Sequence, residues 1–249
     1  MNKKNKAITA ICMSIMIIAM LLIQSSANPW FLPHTNFIVY TPHHVSLTAD
    51  YITQEFPDSI LALIDNQTDQ DYLKPEFPQT EKIEPASGRY NCHSYAWYQT
   101  NTSNTVWFDF EPVDFVDCAV PVPSWQVLPG DIVIFVDEDG TIQHSAIVVS
   151  TVNGFLNTAL LQSKWGDAGI YNHGVYTGHP YAGYDVEVYR KQVHNQTYTS
   201  AGNTHIVTCS CGAVFSENHN YVGNGISYRC KQCGHTIYIR YNDQSEETD

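Results

Sequence analysis

Asp131-Ile132-Val133-Ile134-Phe135-Val136 is a nearly continuous apolar run rich in β-branched residues, opened by the turn Pro129-Gly130 and closed by the turn from Asp137 to Gly140. A short apolar run between turn signals predicts a buried strand. Downstream, His144 to Val152 predicts a second strand and Phe155 to Gln162 its return. Between them lies Asn153-Gly154, a pair that readily takes positive φ at both central positions of a tight hairpin. Tyr184 to Tyr189 predicts a later strand. Upstream, Asn91 is a good N-cap and Cys92 to Gln99 reads as a short helix. One helix followed by an antiparallel meander is an α+β pattern.

Outward from this centre the character of the chain changes on both sides. Residues 28–87 are punctuated by prolines and read as an ordered but irregular lead-in. Within them, Asp58 to Ile64 predicts a short helix with Asp58 accepting the free first-turn amides. The segment 88–190 forms the main domain. Residues 191–204 are polar and read as a linker, and 205–240 form a small module. The module holds a weak internal repeat, Cys209-Ser210-Cys211-Gly212 against Cys230-Lys231-Gln232-Cys233-Gly234. Residues 241–249 make an acidic tail.

The first residues predict export. Lys3, Lys4 and Lys6 precede an apolar run from Ala7 to Ile23, and Ser25-Ser26-Ala27 follows. That order is a signal peptide with cleavage after Ala27, an uncleaved anchor being the alternative. The whole chain carries 12 Lys+Arg against 25 Asp+Glu, and residues 1–27 hold three of the lysines and no acid. So acidic a mature chain lacks the positive footprint that nucleic acid requires. It lacks a basic stripe for an anionic membrane as well, so a secreted, soluble protein is expected.

A thiol attacks carbonyls as thiolate and needs a local reason for a low pKa. At the first position of a helix Cys92 gains one from the unpaired amides there, and a histidine supplies another. His93 is excluded on this reading, because neighbouring helical residues point about 100° apart. His144 opens the second strand, sharing a face with Ala146 and Val148, and is the expected base if the helix packs on that face.

Tyr90-Asn91-Cys92-His93-Ser94-Tyr95-Ala96-Trp97-Tyr98 resembles the nucleophile helix of the CHAP family, the cysteine- and histidine-dependent amidohydrolases/peptidases, and of their NlpC-type relatives. Leu128-Pro129-Gly130-Asp131-Ile132-Val133 is similar to the turn opening their central strand, and Gln143-His144-Ser145-Ala146-Ile147-Val148 to the strand carrying their histidine. Leu161-Gln162-Ser163-Lys164-Trp165-Gly166 resembles the next strand. The resemblance implies a papain-like fold and an amidase or endopeptidase with Cys92 as nucleophile and His144 as base. It implies peptide or peptidoglycan substrates, and no cofactor for catalysis. Gln162 stands where many of those proteins carry an acid, and an amide there still fixes the imidazole tautomer. His173 is the rival for that third role. The alternative of another class is a secreted binding or structural protein without turnover.

Cys209, Cys211, Cys230 and Cys233 read as one structural zinc site of ribbon type, two short pairs each ending in glycine. His205, His219 and His235 are substitutes should Cys209 or Cys211 not ligate. Two disulfides are the competing staple in an exported protein.

Overall fold

The computed structural model describes residues 32–73, 75–223 and 227–238. The expected signal peptide and acidic tail lie outside these residues. The chain divides into two units, one reaching Gln192 and the other comprising Pro42–His44 and the chain from Val193 onward.

The central strand owes its position to its composition. In β6 (Ile132–Val136) Ile132, Val133, Ile134 and Phe135 are all buried, so both faces of the strand are covered. Around it the first unit builds a seven-stranded antiparallel sheet from β3 (Glu81–Glu84), β5 (Ala119–Pro121), β6, β7 (Ile142–Ser150), β8 (Leu160–Lys164), β9 (Ile170–Gly174) and β10 (Asp185–Lys191). The order is β3-β9-β8-β7-β6-β10-β5. A second sheet joins β1 (His34–Tyr40), β2 (Ser46–Ile52) and β4 (Val106–Trp107). One face of the large sheet packs Val133, Phe135, Ala146, Val148 and Leu161 with Leu156 and Val188. The other packs Ile132, Ile134 and Ile142 with Val39, Ala49, Ala96, Trp97 and Phe115.

Local chemistry sets the edges. Asn153 (φ 54°) and Gly154 (φ 77°) both take left-handed backbone, as a tight turn after β7 requires. Asp131 opens β6 with a buried carboxylate that accepts from Leu128 N at 2.8 Å and from Arg190 Nε at 2.7 Å and Nη2 at 2.8 Å. The Pro-Gly-Asp turn therefore bolts β6 to β10.

The α+β expectation, with a papain-like helix packed on a sheet, is overturned. The structure is predominantly antiparallel β, with sixteen strands among the described residues. Among the described residues the α-helices are α1 (Asp58–Thr68) and α2 (Val113–Val116). The helix expected over 92–99 shrinks to two helical residues, Cys92 and His93, and a π-helical turn, Ser94–Tyr98. Its closing bond runs from Gln99 N to Ser94 O at 3.0 Å. Ser, His, Tyr and Trp are indifferent helix formers, and so short a run cannot offset its nucleation cost.

Other boundaries also move. Residues 28–87 carry β1, β2 and β3 where an irregular lead-in was expected, and the helix expected over Asp58–Ile64 runs on to Thr68 as α1. Pro57 takes the cap position of α1, and Asp58 is its first residue without a side-chain cap bond. The expected linker 191–204 contains β11 (Gln196–Ala201), which pairs with β12 (Thr204–Cys209), and β12 pairs with β13 (Val214–Asn218). A further sheet follows from β14 (Tyr221–Gly223), β15 (Ser227–Cys230) and β16 (Thr236–Tyr238). No helix among the described residues is long and apolar enough to cross a membrane.

Candidate active site and cysteine–histidine clusters

Asn91 shapes the start of the short helical turn. Its Oδ1 accepts from Ser94 N at 3.1 Å, and its Nδ2 donates to Phe108 O at 2.7 Å. Both ends of the amide are thus engaged, which makes Asn91 a cap and not a donor to substrate. Cys92 follows, 8% exposed. Its thiol is coupled electrostatically to two imidazoles, those of His93 and His144. Burial pushes the thiol up, but the two imidazoles outweigh it and hold it well below its ordinary value. Burial likewise opposes charge on His93, yet the facing Cys92 and then Glu111 raise it above its ordinary value. The arrangement favours a thiolate beside an imidazolium.

Two parts of the sequence reading are corrected here. His93 is a partner of the thiol. The 100° offset separates side-chain stems, but an imidazole reaches far enough to bridge neighbours whose Cα atoms are only about 3.8 Å apart. The turn also packs on the opposite sheet face. His93 Nδ1 lies 2.9 Å from Ser145 Oγ, Trp97 Nε1 donates to Ser145 Oγ at 3.1 Å, and Tyr95 OH donates to Gln162 Oε1 at 2.7 Å. Strand alternation turns His144 away from that face, to the side of its pairing partner Phe135 and of Tyr181. The β6–β7 register breaks between Phe135 and Val136, leaving Gln143 as an extra residue immediately before His144. Such a bulge bends the strand locally.

His144 is 1% exposed and lies parallel to Tyr181, with ring centroids 4.4 Å apart at 8°. Its Nε2 is buried and has no hydrogen-bond partner among the described residues. Gln162 does not orient this ring: its amide is spent on Tyr95 and, through Nε2, on Asn172 Oδ1 at 3.1 Å. His173 does not either, since Nε2 meets Ser163 Oγ at 2.8 Å and Nδ1 meets Gly174 O at 2.8 Å. Stacking on Tyr181 holds the imidazole instead. Behind it stand His173 and His179, 4.4 Å apart. Burial keeps both neutral, holding His173 well below its ordinary value and His179 down at about 4. Tyr181 and His179 were missed, because no spacing or repeat marks them.

Lys164 is fully buried beside this site. Its ammonium donates to Ser87 O at 2.7 Å and Ala168 O at 2.6 Å and lies 5.1 Å from the Tyr90 ring centroid. Desolvation lowers its pKa to about 8. The residue clamps the turn after β8 and leaves no free donor for a substrate.

In the second unit the four cysteines read as one site are free thiols that fall into two groups. Cys230 and Cys233 converge with His205 and His219, and Cys211 converges with His43 and His194. Cys209 joins the second group, its Sγ lying 3.1 Å from His194 Nδ1. His235 stands aside, with Nδ1 2.7 Å from Ser200 Oγ.

Comparisons with protein-family models, with curated proteins and with solved structures give no match.

Proposed function

We propose that the first unit is a cysteine-dependent amide hydrolase. The observation that carries this reading is the Cys92 thiol, coupled electrostatically to the imidazoles of His93 and His144 and held well below its ordinary pKa. A thiolate so paired attacks a carbonyl carbon to form a tetrahedral adduct and then a thioester. An imidazolium gives its proton to the departing amine, and a water deprotonated by the imidazole releases the acyl group. His144, with an unpartnered nitrogen, suits proton transfer. His93, whose pKa is raised and which is tied to Ser145, suits holding the thiolate. The resemblance of the four sequence blocks to CHAP and NlpC-type proteins supports an amide substrate, and with the export signal it favours peptidoglycan peptides.

The test is hydrolysis of purified peptidoglycan and simple peptides, read by mass spectrometry. Wild type should release products, while folded Cys92→Ala and His144→Ala proteins should release none. Turnover by folded Cys92→Ala would end the proposal.

The burial of Cys92 and His144 favours a second reading, a binding protein that keeps the pair without turnover. Rapid alkylation of native Cys92 by iodoacetamide near neutral pH would count against it, and inertness would support it.

A further inference from the structure

The second unit repeats one motif twice. β11-β12-β13 and β14-β15-β16 are each three-stranded antiparallel sheets. In each, a cysteine ends the middle strand, Cys209 in β12 and Cys230 in β15. A tight turn follows, closed by Gly212 N donating to Cys209 O at 2.9 Å in one and by Gly234 N donating to Cys230 O at 3.1 Å in the other. The second cysteine lies in the turn, just before a glycine with positive φ, Gly212 (96°) or Gly234 (74°). Each turn is thus a knuckle presenting two sulfurs, and each is met by two histidines.

We infer that this unit holds two separate tetrahedral zinc ions, one on His205, His219, Cys230 and Cys233 and the other on His43, His194, Cys209 and Cys211.

The geometry of the first group fits the ion closely. Zn–N bonds of about 2.05 Å and Zn–S bonds of about 2.3 Å at tetrahedral angles give ligand edges of about 3.4 Å for N···N and about 3.6 Å for S···N. Here His205 Nδ1 and His219 Nδ1 are 3.4 Å apart, Cys233 Sγ is 3.4 Å from His219 Nδ1, and Cys230 Sγ is 3.8 Å from His205 Nδ1. Two imidazole nitrogens facing each other beside two sulfurs have little reason to converge except around a cation. The outer nitrogens are held as metal-bound histidines usually are. His205 Nε2 meets Glu217 Oε2 at 2.9 Å, and His219 Nε2 meets Gly202 O at 3.2 Å.

The second group offers the same ligand types at shorter S···N separations. His43 Nε2 lies 3.0 Å from Cys211 Sγ, and His194 Nδ1 lies 3.1 Å from Cys209 Sγ. The contacting atoms of His43, His194 and Cys211 all lie within 4.8 Å of one another. Pro42–His44, which brings His43, belongs to this unit. Glu217 connects the two neighbourhoods, since it bonds His205 and also pairs with His44. A set of two nitrogens and two sulfurs selects zinc, and four protein ligands leave no open position, so both ions are structural.

The experiment is metal analysis of the protein purified without chelator, with alkylation of each cysteine mapped by mass spectrometry. Two zinc ions per chain are expected, with Cys209, Cys211, Cys230 and Cys233 all protected. His205→Gln should lower the content to one and expose Cys230 and Cys233 only. His43→Gln should lower it to one and expose Cys209 and Cys211 only. A single zinc in wild type, or no zinc with the four thiols oxidised to disulfides, would overturn the inference. Should a variant fail to fold, cobalt(II) titration of metal-free wild type decides. Saturation at two equivalents with tetrahedral thiolate bands supports two sites, and saturation at one equivalent refutes them.

Discussion

Cys92 sits where burial raises a thiol's pKa and two imidazoles lower it, and the imidazoles win. The same contact raises His93, so the two shifts are halves of one interaction. In folded Cys92→Ala protein the His93 pKa should therefore fall, measurable by NMR titration of the imidazole. In wild type, alkylation of Cys92 should persist below the ordinary thiol range, near pH 8.5, and be lost only as acid protonates the thiolate through its depressed value. A reactivity that vanishes already below about pH 8 would contradict the pairing. Gln162 belongs to the same scale. Its amide bonds Tyr95 and Asn172, so Gln162→Ala should leave turnover within a few-fold of wild type and cost about 1–2 kcal/mol of stability, read from chemical denaturation. Cys92 and His144 could be singled out in the sequence because a thiol and an imidazole are chemically distinctive types. The contribution of His93 was not, because helical azimuth says little about where a long ring ends.

At the level of elements, β6 and the turn at Asn153-Gly154 could be read directly, but the strand expected over Phe155–Gln162 is a 3₁₀ turn at Leu156–Thr158 followed by β8 from Leu160. The helix at Cys92 could not be read, because its length lies below what local propensity sustains and tertiary packing chose a π turn. The bulge at Gln143 was equally hidden, because a one-residue register shift leaves no mark on composition. The turn before β6 gives a test of this scale. Asp131→Ala removes acceptors from Leu128 N and from a bidentate Arg190, joining β6 to β10. Arg190 is 42% exposed, so the loss of its charge pairing is softened by solvent. A destabilisation of about 2–3 kcal/mol is expected, chiefly from the part-buried Leu128 amide and the lost hydrogen bonds, with Cys92 alkylation in the folded protein unchanged.

At the scale of the whole chain, the two units draw stability from different sources. The first owns two apolar clusters on either side of its large sheet. The second, as described, buries little beyond Val207, Cys209, Cys230 and His205, and a segment so small needs a staple. The sequence pointed to that staple through its paired cysteines, but the histidines completing each set lie as far off as His43, at a distance no motif spacing encodes. If metal supplies the staple, chelation should act on one unit only. Amide hydrogen exchange with and without EDTA should show loss of protection in β11 to β16, while β6 to β8 keep theirs. The buried histidines add an opposite dependence on acid. His179 is held at about 4 by desolvation, below its unfolded value near 6.5, so the unfolded chain binds the extra proton between those values. The stabilisation from neutral His179 is complete above about pH 6.5 and is lost as pH falls toward 4. Acidification from pH 7 to 4 should thus loosen β7 to β9 in the first unit even without chelator, and His179→Gln should reduce that acid sensitivity. Equal acid sensitivity in the variant would show that His179 does not carry it.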